Sequence, residues 1–206
     1  SLASGNFNND KFYDLVVGVP FEDLEYTGST VENAGIIHVI RGSSGGLTST
    51  GNTIWSQDTA SIDGGSEAGD YFGYSVASGD FDKDGFDDLA VGVPFEDVES
   101  KNAIDAGAVN VIPGSSTGLT AQGNQLWYQS VSNIEGTSED FDRFGEAVAA
   151  GNITTGVPYV GSDSDLAVRV SGEDVDVSDT GAIQIFYGKS GTGLNIGDKF
   201  VKLEDF

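Results

Sequence analysis

The sequence repeats itself. Asp14-Leu-Val-Val-Gly-Val-Pro-Phe-Glu-Asp23 returns as Asp88-Leu-Ala-Val-Gly-Val-Pro-Phe-Glu-Asp97, a ten-residue near-identity that chance does not produce. The following block agrees. Gly35-Ile-Ile-His-Val-Ile-Arg-Gly-Ser-Ser-Gly-Gly-Leu47 corresponds to Gly107-Ala-Val-Asn-Val-Ile-Pro-Gly-Ser-Ser-Thr-Gly-Leu119, and then to Gly181-Ala-Ile-Gln-Ile-Phe-Tyr-Gly-Lys-Ser-Gly-Thr-Gly193. Three units of roughly 70 to 75 residues fill the chain, so its architecture must be one that stacks like upon like. The approximate boundaries are 1–69, 70–141 and 142–206.

Each unit carries short runs rich in Val, Ile, Phe and Tyr, bounded by clusters of Gly, Asp, Asn and Ser, which is the punctuation of strands and turns. No stretch sustains a 3.6-residue apolar period over ten or more residues, so almost no helix is expected. In the second unit the runs predict four strands: Phe72 to Ser78, Asp88 to Val93, Ala108 to Ile112 and Leu126 to Gln129. An all-β chain of four-stranded antiparallel units in series reads as β-propeller blades.

Phe72-Gly73, then Gly79-Asp-Phe-Asp-Lys-Asp-Gly-Phe-Asp-Asp-Leu-Ala-Val-Gly-Val-Pro94, then Gly107-Ala-Val-Asn-Val-Ile112 resembles the FG-GAP repeat of integrin α-subunit β-propellers and related bacterial extracellular proteins. The resemblance runs over the whole chain. In the third unit Phe144-Gly145 and Gly181-Ala-Ile-Gln-Ile-Phe186 survive while the middle has diverged. Leu2-Ala-Ser-Gly-Asn-Phe7 aligns with Val76-Ala-Ser-Gly-Asp-Phe81, so the first unit starts inside its first strand, without a Phe-Gly of its own. The first blade is therefore expected to be incomplete. The resemblance implies closure with about seven blades, whereas three would leave open sheet edges. Further blades of a longer propeller, or copies of the same chain, are the expected covers. The start at Ser1 reads as a mature or trimmed product.

Asp80, Asp82, Asp84, Gly85, Phe86 and Asp88 form the pattern D-x-D-x-D-G-x-x-D. Carboxylates at positions 1, 3 and 5 of a tight turn converge, Gly85 permits the reversal, Phe86 offers its carbonyl and Asp88 closes the shell, an all-oxygen set suited to Ca²⁺. Without a cation the carboxylates repel one another, so the ion is expected to be structural. An EF-hand shares the first half of the pattern but needs Glu at position 12, which here is Val91 inside an apolar run. The resemblance puts such loops between strands 1 and 2 of a blade, opposite the usual ligand face.

The first unit offers Asn6, Asn8, Asp10, Phe12 and Asp14 at the same spacing, with Lys11 at the glycine position. Fewer carboxylates and an adjacent ammonium predict a calcium site of lower affinity, or none. The third unit has Asn152, Thr154 and Gly156, with its Asp-Leu pair only at Asp165, and no calcium loop of this type is expected there. Asn152-Ile-Thr154 also has the form of a glycosylation sequon.

Composition excludes more than it assigns. With 33 acidic against 9 basic side chains, a net charge of −24, the surface repels phosphate backbones and anionic headgroups, so neither nucleic acid nor membrane surface is an expected partner. There is no cysteine and one histidine, which removes thiol chemistry and thiolate zinc sites. No apolar run is long enough to span a bilayer. Gly42-Ser-Ser-Gly-Gly46 and Gly114-Ser-Ser-Thr-Gly118 satisfy G-x-S-x-G, but no helix follows, and two matches at equivalent positions read as a recurrent turn. Gly188-Lys189-Ser190 lacks the first glycine of a P-loop. His38 aligns with Asn110 and Gln184, a polar position facing solvent or a neighbouring blade, and Trp55 and Trp127 align as blade-packing residues. The acidic runs Glu22-Asp23 with Glu25 and Glu96-Asp97 with Glu99 read as solvated loops, ahead of the alternative of a cation-mediated contact on the face opposite the metal loop.

No catalytic or cofactor-binding residue is therefore assigned. The expectation is a calcium-binding, non-catalytic module at the cell surface or outside the cell, serving adhesion or assembly. By resemblance it would meet a protein or glycan ligand through Pro20 to Ala34, Pro94 to Ala106 and Gly172 to Thr180, together with Gln57 to Asp70 and Ser130 to Asp142. The alternative is a subunit of a self-assembling filament or surface layer, whose open edges pair between copies. A propeller accompanying a polysaccharide-active enzyme is a third reading, disfavoured for anionic substrates by the charge.

Overall fold

The computed structural model describes residues 1–131, 134–153, 164–174 and 181–202. They form three four-stranded antiparallel sheets. The first contains β1 (Leu2–Gly5), β2 (Asp14–Val19), β5 (Ile36–Ile40) and β6 (Thr53–Trp55), in that order. A small hairpin of β3 (Leu24–Tyr26) and β4 (Ser29–Val31) stands in the loop between β2 and β5. The second sheet runs β7 (Ser75–Gly79), β8 (Asp88–Val93), β9 (Ala108–Ile112) and β10 (Gln125–Trp127). The third runs β11 (Phe144–Gly151), β12 (Asp165–Val170), β13 (Ala182–Lys189) and β14 (Gly193–Lys202). Within each four-stranded sheet the strands lie side by side in chain order, the up-and-down order of a propeller blade.

The expected strands of the second unit are present, with both ends of the first and last displaced, two of them by a single residue. β7 begins at Ser75 rather than Phe72, because the chain turns through left-handed conformations at Tyr71 (φ 58°) and Gly73 (φ 86°) before the ladder starts. β10 ends at Trp127, and Gln129 is diverted into a contact with the next blade. The single helical turn among the described residues is a 3₁₀ turn at Glu99–Lys101. The first sheet has all four strands, and its inner strand pairs Leu2 with Val17 as Val76 pairs with Val91 in the second.

Blades pack face to face, and the core lies between them. Phe7, Val16, Ile37, Trp55, Phe72, Leu89 and Val91 fill the seam between the first two blades. Phe81, Val109, Trp127, Phe144, Leu166 and Phe186 fill the next. Strand β8 is buried at every position because a blade covers each of its faces, whereas β2 alternates buried and half-buried residues. A central blade thus loses the period-2 signal that an outer one keeps.

The seams are also closed by repeated hydrogen bonds. Ser1 Oγ donates to the Gly73 carbonyl and Ser75 Oγ to the Gly145 carbonyl, both at 2.7 Å. The Phe72 amide donates to Ala34 O at 2.9 Å and the Phe144 amide to Ala106 O at 2.8 Å. Of the aligned polar positions, His38 is exposed, while Asn110 is buried and donates across the seam to Asp63 O at 2.8 Å. The two G-x-S-x-G segments are the expected tight turns: Ser43 Oγ donates to Gly46 O at 2.7 Å and Ser115 Oγ to Gly118 O at 2.6 Å.

Candidate metal centre

In each sheet the turn after the inner strand and the turn after the third strand lie at the same end, because the strands alternate in direction. The second-unit acidic loop joins β7 to β8 at this end. Gly85 (φ 92°) and Lys83 (φ 60°) make the reversal, and the side chains close the turn onto its own backbone. The Asp84 amide donates to Asp80 Oδ1 at 3.1 Å and to Asp82 Oδ1 at 3.0 Å, and the Gly85 amide donates to Asp80 Oδ2 at 3.1 Å. Phe86, the carbonyl candidate, donates its own amide to Asp84 Oδ1 at 2.9 Å.

Asp80, Asp82 and Asp88 each bring one carboxylate oxygen within 4.8 Å of the others. Asp84, expected in the same shell, is not part of this converging set. Burial pushes the Asp80 and Asp82 carboxyls upward, and it pushes Asp88 up to about 7 despite amide bonds from Gly114 and Phe81, with Asp82 and Asp84 adding repulsion. Such a cluster disfavours its own ionised form and would gain from a hard cation among its oxygens. A cleft of about 300 Å³, lined in part by Asp82, Asp84, Asp88 and Gly114, gives an ion access to it.

The first loop has the same backbone turns and a different interior. The Asp10 amide donates to Asn6 Oδ1 and Asn8 Oδ1, and the Phe12 amide donates to Asp10 Oδ1 at 2.9 Å. Asn8 turns its Nδ2 to Asp10 Oδ2 at 2.8 Å, so an amide donor occupies part of the ligand sphere. The hydrogen bonds from Phe12 and Asn8 hold the Asp10 carboxyl below its usual range. Asp14 is buried, accepts from the Gly42 amide at 2.8 Å, and faces Arg41 Nη1 at 3.5 Å. Among the described residues the acidic triad of the second loop is the one group arranged to hold a metal.

In the third unit, Thr154 and Gly156 lie outside the described residues. Asp165 is buried and accepts from Ile153 at 3.0 Å and from the Gly188 amide at 3.2 Å. Gly42, Gly114 and Gly188 thus donate to Asp14, Asp88 and Asp165 in turn. The closing aspartate is first a structural acceptor, whether or not other oxygens join it. The Asp-Leu that opens the second strand, with the glycine after the third, was the available sequence signal.

The FG-GAP repeat pattern matches residues 1–40 and 72–111. Both matched segments are FG-GAP repeats. Human integrin alpha-8 is 28% identical over 225 residues, covering 100% of this chain and 18% of that protein. Chinese hamster integrin alpha-3 is 32% identical over 139 residues, 67% of this chain and 11% of that protein. Integrin alpha-5 of Xenopus laevis is 28% identical over 204 residues, 93% of this chain and 17% of that protein. The FG-GAP chain therefore spans less than a fifth of the length of these relatives.

At the opposite end of the blades the chain carries a second recurring arrangement, which draws Glu96 out of the solvated loop expected for it. Gln57 Nε2 donates to Glu96 Oε2 at 2.6 Å across the first seam, and Gln129 Nε2 donates to Glu173 Oε2 across the second. Beside them Asp70 and Asp142 are buried, each accepting an amide bond from the residue three positions earlier, Glu67 and Glu139. Burial, followed by repulsion from Glu96, pushes Asp70 up to about 8; burial also lifts Asp142 to about 7, with Glu173 and Glu139 adding to it. Gln57 and Gln129 recur at equivalent places in the repeat, a signal visible only once the seam partners are known.

Proposed function

We propose that this chain is a calcium-stabilised FG-GAP β-propeller segment that works outside the cell or at its surface in adhesion or assembly, without catalysis. The observation that carries this reading is the convergence of Asp80, Asp82 and Asp88 in a loop whose backbone is itself part of a blade seam. The carbonyls of Asp80, Phe81 and Asp82 accept amide bonds from Ser164, Lys189 and Gly191 of the third blade, at 2.9, 2.9 and 2.6 Å. An ion bound by Asp80, Asp82 and Asp88, with Asp84 and the Phe86 carbonyl as further oxygen ligands, would hold the accepting loop of that seam in one conformation. Its role would be to neutralise the carboxylates and fix the turn.

The likeness to integrin α chains supports the adhesion-type setting. No described helix is long and apolar enough to cross a membrane. By the same likeness, a protein ligand would be met at the end opposite the metal loop, where Pro20 to Ala34 and Pro94 to Ala106 join the second and third strands and the segments Gln57 to Asp70 and Ser130 to Asp142 join successive blades. Residues 175–180 of the third such loop lie outside the described residues. The test is calcium titration by calorimetry, with thermal melting in calcium and in EDTA. Uptake of calcium with a higher midpoint supports the reading; a chain that binds no calcium and melts identically in both overturns it.

A further inference from the structure

Arg41 stands in the first unit where Pro113 stands in the second, at the end of the third strand. Its guanidinium does three things at once. Nη1 faces the buried carboxylate of Asp14 at 3.5 Å, Nε donates to Gly51 O at 3.4 Å, and Nη2 donates to the Thr117 carbonyl of the second blade. Gly118 makes room for it: a Cβ there would stand 2.3 Å from Nη2, whereas at the equivalent Gly46 a Cβ would meet nothing within 4 Å. The G-x-S-x-G turn of the second unit is thus the seat of an arginine from the first.

We propose that Arg41 is a built-in cation that does for the first loop what bound calcium does for the second, closing it without metal and clamping the first blade to the second. The proposal rests on the calcium reading of the Asp80 to Asp88 loop. Asp14, the counterpart of Asp88, has its cation supplied covalently, from a planar fork held by three acceptors. The Asn8 amide, turned inward as a donor to Asp10, completes the substitution, since a cation and an N–H cannot share that position.

The experiment counts calcium ions by calorimetry in the wild-type chain, in the loop-converted chain N6D/N8D/K11G, and in that chain with R41Q added. One ion is expected for wild type. The converted chain that keeps Arg41 should show a second site at least about tenfold weaker than the converted chain without it. Two ions in wild type, or a second site equally tight with and without Arg41, overturn the assignment while leaving the calcium reading intact. No uptake by wild type overturns the calcium reading instead. Melting in EDTA then decides whether Arg41 is an internal cation. R41Q should lower the midpoint by at least about 5 °C, with R41K falling between R41Q and wild type. A wild-type midpoint for R41Q reduces Arg41 to a surface arginine.

Discussion

Gly92 lies so close to Gly145 that a Cβ built on it would stand 2.1 Å from the Gly145 carbonyl oxygen. The same approach joins Gly18 to Gly73, again at 2.1 Å. In both seams, the glycine of the Val-Gly-Val-Pro strand is the surface on which the Phe-Gly of the next blade rests. The third blade carries Arg169 at this position, paired with Glu146 at 3.1 Å. That face lacks the glycine on which the following blade rests in the first two seams.

Gly92→Ala should therefore destabilise the chain by about 3 kcal/mol or more, since the obstruction is backbone and cannot rotate away. Gly65→Ala, where a Cβ meets nothing within 4 Å, should be neutral to within about 0.5 kcal/mol. Urea unfolding of the two variants measures the difference.

Asp82→Asn should weaken calcium binding by at least about tenfold. It removes one of the three converging carboxylates and keeps an oxygen able to accept the Asp84 amide. Calorimetry reads the affinity, and melting in EDTA should show that the metal-free fold is retained.

Phe81→Ala should cost about 3 to 5 kcal/mol, because the ring is fully buried in the seam between the second and third blades. Phe7→Ala, its counterpart in the preceding seam, should do the same. Denaturant midpoints test both, and equal losses would show that the two seams bear comparable weight.

Stability in EDTA should fall as pH rises from about 4 to about 8. Asp70 and Asp142 have folded values near 8 and 7 against an ordinary 3.8, so the fold prefers their protonated forms. Their contribution is complete below the unfolded value and is lost as pH rises through the folded ones. Asp70 is faced by Glu96, Glu67 and Asp97, and Asp142 by Glu173, Glu139 and Asp174. Asp70→Asn should flatten the upper part of the profile, since an amide oxygen can still accept the Glu67 amide without carrying charge. A profile that rises toward pH 8 in both chains would contradict the assignment.

Much of this was legible in the sequence because it is local or repeated. The strands Asp88–Val93 and Ala108–Ile112 stand where the apolar runs placed them. The turn of the second loop follows from Asp at alternate positions and Gly85, residues that bond to their own near neighbours. The repeat itself required like faces to meet, since a four-stranded sheet with two apolar faces cannot bury both alone.

The tertiary structure decided which residues meet across the seams. Gln57 and Glu96 are 39 positions apart, and nothing near either one specifies the other. Arg41 reads as an ordinary strand-end cation until the fold sets Asp14 on one side of it and Thr117, 76 residues on, on the other. Asp84 has the spacing of a ligand, yet Asp80, Asp82 and Asp88 are the three that converge. Spacing along the chain fixes what a loop can offer, and the blade beside it determines where each charge finds its partner.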